Sequence, residues 1–362
     1  MLDAVRSLVE AETPTGDREA MERGFARLST IVSQFTRRRA IVDHVDDAPY
    51  LYLPAVTTPS VLVIGHLDTV WPIGTLADLP FRVSVGRATG PGVFDMKAGL
   101  VIALAAIAGC AVAENVSLLV TSDEETGSAT GRGLVEKFSS TATAVLVPEP
   151  AAPGGGIKMA RKGVGMYEFA IRGREAHAGL EPERGLNATV EMGALIADLV
   201  RMQDTQAGTT VTPTKAASGL TANTVPADAV LCADVRAWSM LELQRVDREV
   251  RTRVPEIAGA EVTVTGGINR PPLEASTSLA LVELARKAAR DLGLGEIDAT
   301  SVVGGSDGNF SAARGVPTLD GVGADGAGAH TRDEWVDIAS LPARAKWLAA
   351  ICEQVVGGGL AR

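Results

Sequence analysis

The chain has 362 residues, 46% hydrophobic and 22% charged, which is enough to bury a sizeable core and, by length, suggests about two domains. A formal charge of -10 argues against nucleic acid or an anionic membrane as the main partner and leaves small molecules or peptides. Cys110, Cys232 and Cys352 are odd in number, far apart and set among apolar residues, so no disulfide framework or CxxC zinc site is indicated and all three read as reduced core residues.

The N-terminal stretch MLDAVRSLVEAETPTGD has no basic segment followed by an apolar one, so no signal peptide is expected and the cytoplasm is the expected location. Residues 60–65 (SVLVIG), 116–121 (VSLLVT) and 144–147 (AVLV) are short continuous apolar runs, as expected of central strands covered on both faces. The apolar run 99–113 between them is too short for a membrane span, which takes roughly 18 residues or more, and reads as a buried helix. From residue 163 to 272 the order becomes strand 164–172, helix 185–204, strands 209–217 and 227–236, helix 240–254 and strand 261–266, the split βαβ order of ferredoxin-like domains. A helix over 278–292, an apolar segment at 317–322, a Gly-rich loop at 321–329 and a final helix over 341–356 resume the α/β pattern. The expected fold class is α/β: a doubly wound domain formed by 1–162 and 273–362, with an inserted ferredoxin-like α+β domain at 163–272.

Five residues of zinc-binding type lie in five short motifs, each placed where a predicted strand gives way to a loop: His66 in GHLDTV, Asp95 in GPGVFDMK, Glu125 in TSDEETGS, Glu149 in VPEP and His330 in GAGAHTRDEW. Two imidazoles and three carboxylates can hold two zinc ions if one carboxylate is shared, the composition of a hydrolytic two-metal site. In open α/β sheets ligands gather beyond the carboxyl ends of the strands, so His66, Glu124, Glu125 and Glu149 would emerge on one edge. Asp68, two residues after His66, is placed to take the spare N–H of a metal-bound imidazole. Asp95 suits a bridging carboxylate held in a tight Gly-Pro-Gly approach, and would equally suit a helix N-cap. Adjacent Glu124 and Glu125 would supply a general base and a ligand; an exposed acidic loop is the other reading. Glu149 is fixed between Pro148 and Pro150, or is an exposed turn residue.

Read together and in order, GHLDTVWPIGTL, GPGVFDMKAG, TSDEETGS, PEP, RKG, HAGLEPERGLNA, DVRAWS, GGSDGNF and GAHTRDEWV resemble, over nearly the whole chain, the dizinc aminoacylase and carboxypeptidase superfamily. Within it they look most like the bacterial glutamate carboxypeptidases of the carboxypeptidase G type. The resemblance implies two zinc ions per subunit, one bound by His66 and Glu149 and the other by Glu125 and His330, with Asp95 bridging. It makes Asp68 the residue that orients His66 and Glu124 the general base. It makes the inserted domain a dimerisation or lid domain of a homodimer. His177, in EAHAG, would reach the partner's site and stabilise the developing oxyanion, whereas by itself it reads as a surface histidine. Arg236, in DVRAWS, and Asn223, in TANTVP, resemble residues that grip a substrate carboxylate, a task suited to a two-pronged guanidinium.

One departure is Ala98, where DMKGG is the commoner string. His44, among Asp43, Asp46 and Asp47, matches no motif and is expected to be solvated. The expected activity is removal of a C-terminal amino acid, glutamate foremost, from a peptide, folate-like or N-acyl conjugate. An aminoacylase or desuccinylase acting on N-acyl amino acids is the alternative. A zinc-stabilised binding dimer would keep the five ligands but have no use for Glu124 as a base.

Overall fold

In the computed structural model, which describes residues 1–58 and 60–360, the apolar runs of the first half become the centre of one large sheet. Positions 59, 361 and 362, which the expected first and last segments of the main domain include, lie outside the described residues. The chain forms two compact units, Met1–Arg161 with Leu273–Arg362, and Lys162–Pro272.

The first unit is built on an eight-stranded sheet. Its strands in chain order are β1 (Ile41–Val45), β2 (Ala48–Leu53), β3 (Val61–His66), β4 (Val116–Thr121), β5 (Ala144–Val147), β6 (Ile157–Arg161), β7 (Ala299–Val302) and β8 (Thr318–Asp320). They lie in the order β1-β2-β4-β3-β5-β8-β6-β7, and the central run β4-β3-β5-β8 is parallel. Strand alternation explains the continuous apolar runs. Val61 and Val63 of β3 enter one core with Leu118 and Val120 of β4, while Leu62, Ile64 and Leu119 enter another on the opposite face.

Helices Arg18–Thr36, Ala98–Gly109, Ala275–Asp291 and Ser340–Gln354 cover the first face. Gly131–Ser139 and Gly308–Ala313 cover the second. Ala98–Gly109 is apolar on every side and is buried almost throughout, as a helix with no polar stripe must be. It stops short of the apolar run that announced it, because Cys110 turns to extended backbone. Among the described residues no helix is long and apolar enough to cross a membrane.

The second unit has a four-stranded antiparallel sheet ordered Thr210–Ser218, Asp228–Ala237, Gly163–Arg172, Glu261–Arg270, so that Asp228–Ala237 and Gly163–Arg172 are central. Helices Ala188–Arg201 and Met240–Thr252 pack on one face around Phe169, Ile171, Leu195, Leu199, Leu231 and Val246. This is the split βαβ arrangement. Cys232 corrects an expectation: Leu231 and Ala233 point into this core, so Cys232 falls on the opposite face and is only half-buried, unlike Cys110 and Cys352.

Candidate metal centre

Three of the anticipated ligands are delivered by the carboxyl ends of the parallel strands. His66 is the last residue of β3 and is 2% exposed. Its Nδ1 lies 3.0 Å from the backbone oxygen of Asp68 and 3.3 Å from Asp68 Oδ1. After β4 the chain makes a single 3-10 turn, Glu124–Thr126, that carries both glutamates. Asp68 also holds this turn: its carboxylate accepts the backbone N–H groups of Glu124 at 3.3 Å and Glu125 at 3.1 Å and the hydroxyl of Thr15 at 2.7 Å.

After β5, Glu149 is fixed from its main chain. The Gly323 N–H donates to Glu149 O at 3.0 Å, and a Cβ on Gly99 or on Gly323 would stand 1.9 or 2.0 Å from the Pro148 oxygen. Gly99, the residue after Ala98, is therefore the position in this string where close approach requires glycine. Ala98 itself is fully buried at the start of the helix.

Asp95 and His330 arrive by another route, from short strands outside the main sheet. A small antiparallel sheet of Gly326–Ala327, Trp335–Asp337, Arg87–Thr89 and Arg82–Ser84 carries both. His330 follows its first strand in the left-handed region at φ 62, a conformation sparsely used by non-glycine residues and concentrated at functional sites. Asp95 sits in the irregular segment after Gly92, and the Asp95–Met96 peptide is cis. It does not cap the following helix, whose N-cap is Lys97 without a side-chain cap. The segment is held by Glu334, which is 2% exposed. One carboxylate oxygen of Glu334 accepts N–H from Phe94 at 2.8 Å and Asp95 at 3.0 Å; the other accepts from Gly92 at 2.9 Å and from the Trp71 indole at 3.3 Å.

These elements converge on a paired arrangement. His66 Nε2 lies 3.4 Å from Asp95 Oδ1 and 3.5 Å from Glu149 Oε1. His330 Nε2 lies 3.3 Å from Asp95 Oδ2 and 3.0 Å from Glu125 Oε2. Each imidazole thus has a carboxylate of its own and one oxygen of the shared Asp95. The residues fit metal ions on two independent counts. His66 Nε2 and Asp95 Oδ1 are buried without a hydrogen-bond partner among the described residues, an arrangement that is costly unless a cation satisfies them. Candidate ligand atoms of His66, Asp95 and Glu125 also lie within 4.8 Å of one another.

The electrostatics agree. Hydrogen bonds to Asp95 and Glu125 raise His330 to a pKa of about 10. Burial opposes a charge on His66, yet Asp68, Asp95 and Glu149 together push its pKa well above the usual value. A field that holds protons on both imidazoles is one that attracts divalent cations. A cavity of about 380 Å³ opens onto this centre and is lined by Glu124, Lys158, Arg161 and Gly305 besides four of the five candidate ligands, Asp95, Glu125, Glu149 and His330.

Sequence reasoning gave no role to two residues that hold the ligands. Arg161 lies in the RKG string; its guanidinium binds both oxygens of Asp320 at 2.8 and 2.7 Å and reaches Glu149 Oε2 at 3.4 Å. Glu334 shares a motif with His330, and its only sequence signal is a glutamate in a segment that is otherwise a turn. His44, expected to be solvated, is exposed and pairs with Glu22 at 2.6 Å on the surface.

The remaining candidates belong to the second unit. Nδ1 of the exposed His177 accepts N–H from Gly179 and Leu180, each at 3.1 Å, so the ring's other nitrogen carries its proton outward. Asn223 is brought close to it, since its carbonyl accepts the Ala178 N–H at 2.9 Å and Thr224 pairs with His177. Arg236, on strand Asp228–Ala237, makes a two-pronged pair with Asp234 at 2.9 and 3.0 Å.

Comparison with known proteins agrees with this geometry. Residues 62–354 match the family model described as Peptidase family M20/M25/M40. Carboxypeptidase G2 of Pseudomonas sp. (strain RS-16) is 31% identical over 367 residues, covering 95% of this chain and 86% of that one. Succinyl-diaminopimelate desuccinylase of Thioalkalivibrio sulfidiphilus (strain HL-EbGR7) is 26% identical over 325 residues, covering 82% and 84%. Among solved structures, the M20 family metallo-carboxypeptidase Sso-CP2 from Sulfolobus solfataricus has the same fold, with a TM-score of 0.75 at 15% identity over 98% of each chain.

Proposed function

We propose, from the premise that this chain belongs to peptidase family M20/M25/M40, that it is a dizinc hydrolase releasing a C-terminal amino acid, glutamate foremost, from a peptide, folate-like or N-acyl conjugate. Membership makes it a metallohydrolase of peptides or acyl amino acids. The observation that carries the two-ion reading is Asp95, with one oxygen toward each imidazole. His66 and Glu149 would hold one ion, Glu125 and His330 the other. When bound, the ions supply Lewis acidity and ease the ionisation of water.

The protein's own groups do the rest. Glu124, on the turn fixed by Asp68, accepts the proton of the attacking water and returns it to the leaving amine. His177, with its outward N–H, donates to the developing oxyanion, and Arg236 with Asn223 takes the substrate carboxylate. A homodimer formed through the inserted unit, in the cytoplasm, would bring His177 to its partner's site.

Release of an acyl group from an N-acyl amino acid is a second reading, favoured by the likeness to the desuccinylase. Both readings need the same ions and the same carboxylate grip. Purified zinc-loaded protein assayed against acyl-glutamates, dipeptides and N-acetyl or N-succinyl amino acids separates them. Highest kcat/KM on acyl-glutamates supports the first, and highest on N-succinyl or N-acetyl amino acids the second. No hydrolysis of any substrate in the panel contradicts both.

A further inference from the structure

We infer that Glu334 is a positioning residue for the two-ion site: its carboxylate fixes the main chain from which Asp95 is presented, and so sets how tightly the site holds its ions. The inference rests on the two-ion reading and adds a residue that touches no ion itself.

The segment carrying Asp95 follows Gly92 at φ 71, and Asp95 itself has φ -115 and ψ 97, so the regular helical ladder cannot use its N–H groups. Three of them, on Gly92, Phe94 and Asp95, point at one spot, and all three find the Glu334 carboxylate between 2.8 and 3.0 Å away. Buried backbone donors left unpaired are costly, so this acceptor determines whether the segment keeps its shape. A glutamine in its place would turn an NH2 group toward donors, and an alanine would offer nothing. Only an ionised carboxylate accepts on both oxygens, here from two donors each.

The consequence reaches the site through the Asp95 N–H, which fixes the Cα whose side chain must place one oxygen toward each imidazole. A bridging ligand displaced by a fraction of an ångström satisfies one ion at the other's expense. Trp71 supplies an internal control, because its indole donates to the same carboxylate but is not one of the backbone donors of the Asp95 segment.

The test uses the full chain and zinc as the probe. Zinc affinity is measured by competition with a chromophoric chelator, and melting temperature is read with and without zinc, for Glu334→Gln, Glu334→Ala and Trp71→Phe. Both Glu334 variants are expected to bind zinc about ten- to a hundredfold more weakly, the usual cost of losing a group that orients a ligand. The rise in Tm on adding zinc should shrink with them, while Trp71→Phe keeps both near wild type. The near-isosteric Glu334→Gln carries the test should Glu334→Ala fail to fold. If Glu334→Gln lowers the Tm of the metal-free protein yet binds zinc as wild type does, the residue is merely structural and the inference is overturned. Wild-type protein that takes up fewer than two ions would instead overturn the reading beneath it.

Discussion

The carboxylate of Asp68 accepts the backbone N–H of Glu125 at 3.1 Å while its other oxygen stands 3.3 Å from Nδ1 of His66. One side chain therefore ties the end of β3 to the turn beyond β4, and aligns His66 and Glu125, each proposed to hold one ion, together with Glu124, the proposed base. Removing it should cost more than the orientation of one imidazole. Asp68→Asn keeps the shape but loses the charge, and is expected to lower kcat about ten- to a hundredfold at saturating zinc. Asp68→Ala, which also frees the Glu124–Glu125 turn, should lose more and bind zinc more weakly. Kinetics beside metal analysis checks this; equal effects of the two variants would limit Asp68 to holding His66.

The adjacent glutamates should part company when each is neutralised. Glu124→Gln cannot accept a proton, so turnover should fall by about a hundredfold or more with zinc content unchanged. Glu125→Gln removes the carboxylate 3.0 Å from His330 Nε2 and should lose zinc. The opposite pattern of metal content would exchange the roles of base and ligand.

Much of this site was legible because its main-sheet half obeys simple rules. SVLVIG leads to His66, VSLLVT leads to Glu124 and Glu125, and AVLV leads to Glu149, all continuous apolar runs whose two faces meet two cores. The other half follows no such pattern. Asp95 and His330 ride on strands of two or three residues, below the length at which alternation can be read. β1 is largely exposed and carries Asp43 and His44, while β6 and β7 mix polar and apolar residues, so none of the three shows as a strand in the sequence. Glu334 was hidden for a related reason: its partners are backbone N–H groups, which no side-chain motif announces.

The proposed dimer gives a prediction that uses two inactive proteins. His177→Ala should bind zinc normally and lose about ten- to a thousandfold in kcat, the scale of a lost oxyanion donor. Mixed with Glu124→Gln under conditions of subunit exchange, it should regain activity, since a mixed dimer pairs an intact Glu124 with an intact His177 from its neighbour. Random pairing restores about a quarter of the sites, because half the dimers are mixed and each has one competent centre. Exchange confirmed by mass with no return of activity would place the action of His177 within its own subunit or remove it from the reaction.

Asp95 is proposed to join two ions between His66 and His330, and a count of bound ions decides whether it does. Metal-free protein titrated with zinc and weighed by native mass spectrometry should reach a plateau at two ions per chain, with Asp95→Ala reaching fewer at the same free zinc. A wild-type plateau at one ion or none, or an Asp95→Ala variant that still fills with two at the same affinity, would mean that Asp95 does not bridge a two-ion site.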